Sequence, residues 1–94
     1  MNRLEEDRNA IDKIDKQITE LFEKRFTVVE DVIAYKMEND LPILNSGRED
    51  DITKKNTERI QREDIRPYFT EWYKKLLALS RQYQQDILDK KKED

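Results

Sequence analysis

From Leu4 onward the apolar residues return at helical intervals: Leu4, Ile11, Ile14, Ile18, Leu21, Phe22, Val28, Val29, Val32 and Ile33. That recurrence predicts an amphipathic helix from about Arg3 to about Asn39. The stretch NDLPILNSG, holding Pro42 and the only glycine, Gly47, predicts its end. A second, weakly apolar helix is expected from about Arg48 to Arg62, carried by Ile52 and Ile60. Ser46 and Glu49 fit the S-x-x-E capping box at its start. REDIRP is the next break, and Pro67 suits the first turn of a third helix. That helix should run to about Asp89 on Phe69, Trp72, Tyr73, Leu76, Leu77, Tyr83, Ile87 and Leu88, with DKKKED as a solvated, frayed tail. Strand-like alternation and internal repeats are absent. The expected fold is all-α, one domain over residues 1–94, with a long, a short and a medium helix.

The length of the first helix bears on assembly. Roughly 37 residues at 1.5 Å each extend about 55 Å. A compact chain of this size has a radius of gyration near 12 Å, hence a diameter of roughly 30–35 Å. The helix should therefore project from its own monomer while staying apolar along its length. A partner chain must cover it, and a homodimer is the commonest solution.

Polar residues interrupt the stripes. Arg8 lies four after Leu4 and three before Ile11, and Lys36 follows Val32 by four. Arg25 has Leu21, Phe22, Val28 and Val29 at all four of its i±3 and i±4 positions. Long side chains can bury their stems and send the charge to water, and Arg8 beside Asp12 or Lys36 beside Asp40 fits that description. Arg25 fits it poorly, because no carboxylate lies at i±3 or i±4. A buried cation needs a counter-charge from another helix or from a ligand. On the third helix Ser80 and Gln84 continue the row Leu76, Ser80, Gln84, Leu88 and should face the core or a cavity in it. A serine bonded to a backbone carbonyl and a glutamine tied into the core would account for them singly. Together with Arg25 and Lys36 they point to a polar pocket inside a helical bundle.

Composition narrows the chemistry. With 19 Lys and Arg against 22 Asp and Glu, the net charge is −3, which argues against a nucleic-acid binder. The chain has no cysteine and no histidine. That removes disulfides, thiolate metal sites, the usual general base near neutral pH and the commonest metal ligand. No apolar run is long enough to span a bilayer, and MNRLEEDRNA lacks the apolar core of a signal peptide, so a cytoplasmic location is expected. Charged residues make up 44% of the chain, yet the apolar ones are regularly spaced, so it should fold.

Arg8 and Arg25 are 17 residues apart, about 25 Å along a helix, too far to hold one small molecule from the same chain. Arg25 and Lys36, about 16 Å apart, can converge through long side chains. If Arg8 contributes, it most simply comes from a partner chain. Two arginines and a lysine, with no base or nucleophile, suit a small dianion such as a dicarboxylate. The chemistry would then be electrostatic stabilisation and conformational restraint.

RNAIDKIDKQITELFEKR, then VIAYK, then PILNSGRE, then SRQYQ resembles the all-helical class of chorismate mutases over about Leu4 to Leu88. The resemblance implies an intertwined homodimer of three-helix chains with two active sites. It implies rearrangement of chorismate to prephenate, a Claisen-type pericyclic step toward phenylalanine and tyrosine, with no cofactor, metal or covalent intermediate. By position, Arg25 and the partner's Arg8 resemble the arginines that grip the two carboxylates. Lys36 and Gln84 resemble the donors to the ether oxygen, and Ser80 a carboxylate contact. Glu49 resembles the acceptor for the ring hydroxyl, with Arg48 nearby. Asn45 stands where some members have an aspartate. No fused regulatory or second catalytic module accompanies the chain, so a monofunctional enzyme is expected.

Two other readings stand beside this one. An isochorismate–pyruvate lyase shares the scaffold and a similar cationic pocket, but its loop tends to carry Arg and Glu in the other order. A non-catalytic helical interaction protein would leave Arg25, Ser80 and Gln84 unexplained together.

Overall fold

The computed structural model describes residues 2–93. They form α1 (Arg3–Glu38), α2 (Ser46–Arg59) and α3 (Arg66–Glu93), with a 3-10 turn at Glu63–Ile65 leading into α3. The described residues include no strand, as the periodicity predicts. No described helix is long and apolar enough to cross a membrane.

Local chemistry fixes the helix ends. Asn2 caps α1, its side chain accepting from the Glu5 amide at 2.9 Å. Glu5 and Glu6 occupy the first turn and Lys36 the last, each with the sign that the helix dipole favours. At the far end Asp40 adopts a left-handed backbone (φ 53°), and the Leu41 amide donates back to the Lys36 carbonyl at 2.9 Å. This is a Schellman-type stop, with aspartate where glycine is usual. Gly47, expected to help break the chain, instead lies in the first turn of α2 without positive φ. The expected Ser46 capping box is also corrected. The cap is Asn45, whose side chain accepts from the Arg48 amide at 3.0 Å, and Ser46 is already helical. The cap thus lies one residue before the expected one and takes the Arg48 amide, and α2 spans Ser46–Arg59 rather than the expected 48–62.

Pro67 does fall in the first turn of α3. The expected frayed tail is helical to Glu93. Good helix formers continue through it, Gln85 bonds Asp89 at 2.8 Å, and Lys90, Lys91 and Lys92 complement the dipole.

Side-chain ties define the topology. Thr57 meets Thr70, Asn56 meets Tyr73, and Glu49 meets Arg81, so α2 runs antiparallel to α3. Phe22 shares a cavity with Trp72 and Leu76, Glu30 bonds Tyr83, and Met37 shares a cleft with Leu88, so α1 runs parallel to α3. The core gathers Tyr73, Leu76 and Leu77 of α3 with Phe26, Ile52 and Phe69 packed against them. Val29 and Ile33 are the buried residues of α1, and α2 has none. Phe26, which the helical stripe did not include, stacks on Phe22 at 4.5 Å and lies 5.2 Å from Tyr83.

The molecule is elongated, 56 × 28 × 15 Å with a radius of gyration of 17.0 Å. Every described residue from Asn2 to Lys24 is exposed. That stretch includes Leu4, Ile11, Ile14, Ile18 and Leu21, the last 62% accessible. So small a core is poorly matched to the conformational entropy of a chain this long. The N-terminal half of α1 presents an apolar stripe that its own chain does not cover.

Candidate active site

Helix periodicity places Ser80 and Gln84 on the same arc of α3 as Tyr73, Leu76 and Leu77. Both are buried, at 5% and 6% accessibility, as their row along the helix predicts. Gln84 Nε2 donates back to the Ser80 carbonyl over a long 3.3 Å, which leaves its second N–H unused by that bond. Its Oε1 is buried with no hydrogen-bond partner among the described residues.

Across the interface Arg25 shows the same deficit with opposite polarity. Its side chain enters a cavity of about 170 Å³ lined by Ile18, Leu21, Phe22, Trp72 and Leu76. Arg25 Nη1 is buried there without an acceptor among the described residues. Withdrawing a guanidinium N–H from water without an acceptor is costly, so this position favours an incoming anion.

Lys36 lies one turn beyond Val32 near the end of α1. Its ammonium turns to the following loop and donates to the Ile43 carbonyl at 2.6 Å. Lys36, Ile43 and Arg81 line a larger cleft of about 950 Å³ between that loop and α3.

Glu49, in the first turn of α2, is half-buried and ion-paired with Arg81 of α3. Sequence reasoning passed over Arg81. It sits at the edge of an apolar arc, where an arginine ordinarily reads as solvated. One signal was available: Glu49 has no cation at i±3 or i±4, so a cationic partner would have to come from another element. On the opposite flank of the arc, the Tyr83 hydroxyl donates to Glu30 at 2.5 Å. This bond, with burial and the Glu30 charge behind it, raises the phenol above its ordinary value of 10.0.

The remaining expected residues lie at the margin. Arg48 and Asn45 are exposed at the start of α2, with the Asn45 side chain engaged as the cap. Arg8 is exposed on the projecting part of α1. Arg25 thus meets Trp72 and Leu76 of α3, Ser80 and Gln84 are buried one and two turns beyond Leu76 on the same row, and Lys36 and Glu49 lie near the two ends of the loop between α1 and α2. None of the described cavities is lined by all of them.

This constellation can bind and polarise an anion. It offers guanidinium, ammonium and amide donors, and neither thiol nor imidazole. No curated protein and no solved structure gave a significant match to the chain. The chorismate mutase type II family does match, over residues 7–85, through all three helices and both connections. The chain belongs to the chorismate mutase type II family.

Proposed function

We infer that the chain rearranges chorismate to prephenate in a site completed by a second copy, with Arg25, Lys36 and Gln84 as its catalytic residues. The observation that carries this reading is Arg25 Nη1, buried among apolar side chains and without an acceptor among the described residues. A carboxylate of a dianionic substrate would supply that acceptor. Arg8 of the partner would take the second carboxylate, which fits its exposed place on the projecting, uncovered half of α1. Ser80 would add a carboxylate contact. Glu49 would accept from the ring hydroxyl, with Arg48 and Asn45 beside it.

The reaction is intramolecular. The ether C–O bond breaks as the new C–C bond forms, and negative charge gathers on the ether oxygen in between. Lys36 Nζ and the free N–H of Gln84 Nε2 would donate to that oxygen, so their bonds strengthen as the barrier is crossed. The arginines would hold the substrate in its reactive diaxial conformer, which removes conformational freedom before the chemical step. Neither proton transfer nor a covalent intermediate is required. The family places the reaction on the route to phenylalanine and tyrosine, and we assign it to the cytoplasm.

Purified protein should consume chorismate, followed by its ultraviolet absorbance, and chromatography should identify prephenate. Arg25→Ala should not. Pyruvate released from isochorismate, with chorismate untouched, would move the assignment to the lyase. A folded protein inert toward both would be better described as an interaction protein.

A further inference from the structure

Arg81 lies next to Ser80 and three residues before Gln84. At roughly 100° per residue it flanks the buried arc of α3 on the side facing α2. Its guanidinium pairs with the Glu49 carboxylate. The side chains of Arg81 and Glu49 are 36% and 23% accessible, so the pair is partly withdrawn from solvent.

Two features give this pair a role beyond an ordinary surface contact. First, α2 buries none of its residues, and Ile52 alone packs against the core. Polar ties therefore fix its position: Thr57 with Thr70, Asn56 with Tyr73, and Glu49 with Arg81. The Arg81 tie sits at the end of α2 nearest the loop and Lys36. Second, a carboxylate placed in a site for a dianion repels it. An adjacent guanidinium cancels that repulsion while leaving a carboxylate lone pair free to accept a hydroxyl proton.

We propose that Arg81 is a positioning residue, which aims the Glu49 carboxylate at the substrate's ring hydroxyl and neutralises its charge against the dianion. This rests on the mutase reading, in which Glu49 receives the ring hydroxyl of bound chorismate. Arg81 acts through Glu49 and does not itself grip a carboxylate of the substrate.

The test is a double-mutant cycle on chorismate turnover with Arg81→Met, Glu49→Gln and the double variant, beside Arg81→Lys. Arg81→Met should raise KM by roughly tenfold, the scale of a hydrogen bond to a charged group, with a smaller change in kcat. On the Glu49→Gln background it should cost nothing further. Arg81→Lys should recover part of the loss by restoring charge without the guanidinium fork. A merely structural role would instead lower the active fraction at unchanged KM. That outcome, an Arg81→Met enzyme with parental KM, or losses that multiply in the double variant would each overturn the proposal. If Arg81→Met does not fold by circular dichroism, Arg81→Lys carries the cycle with the same criteria. A parent inactive on chorismate sinks the mutase reading and the proposal with it; an active parent indifferent to Arg81 sinks the proposal alone.

Discussion

Lys36 Nζ and the Ile43 carbonyl oxygen lie 2.6 Å apart, so a side chain of α1 closes the loop that follows it. The same ammonium is the proposed donor to the substrate's ether oxygen, which couples loop order to chemistry at one residue. Lys36→Met should lower kcat by on the order of 10²–10³-fold, the usual loss for one donor to a developing oxyanion. Amide exchange across the loop before α2 should quicken in the same variant. Unchanged turnover in folded Lys36→Met would remove it from the catalytic set.

Gln84 makes a separate prediction, about pH. An amide donates at any ordinary pH, so turnover by the parent should stay level between about pH 6 and pH 8. In Gln84→Glu only the protonated carboxyl can donate, and burial raises its pKa. That variant should be active in acid and lose turnover as pH rises. A parent that itself falls sharply over this range would argue against Gln84 as the donor.

Arg8 and Arg25 can be tested in different chains. If Arg8 serves the partner's site, Arg8→Ala and Arg25→Ala are each inactive alone. Mixed and allowed to exchange, they form heterodimers with one intact site of two, and about a quarter of the parental activity should return. No recovery after exchange, verified by native mass spectrometry, would place both arginines in one chain's site.

The Tyr83–Glu30 bond predicts a stability change in alkali. The Tyr83 pKa is raised in the folded chain above the unfolded value near 10. Its contribution is therefore complete below pH 10 and lost as pH climbs through the folded value. The difference in thermal stability between the parent and Tyr83→Phe should stay constant through the neutral range and shrink in strong alkali. A difference that grows with pH would contradict this sign.

Much of this was legible in the sequence because helices write their burial into a short period. Ser80 and Gln84 reveal themselves as polar members of an apolar row, and Arg25 by its four apolar neighbours, so the burial of the first two and of the Arg25 Nη1 could be expected before any fold was known. Ends were harder. Asn45 and Ser46 are both good caps, and only backbone geometry selects between them. The turn after α1 rests on Asp40 in a left-handed conformation that the sequence signals weakly, while Gly47 drew attention it did not merit. Arg81 was missed because its partner lies 32 residues away on another helix, and periodicity reports only neighbours along one.

The exposed stripe from Leu4 to Leu21 has a consequence for the order of the folding reaction. A helix half left bare ties the chain's stability to whatever covers it. Where the cover is a second copy, refolding is bimolecular and its rate climbs with protein concentration, as does the melting midpoint. Dilution then acts as a denaturant, dismantling fold and site in one step.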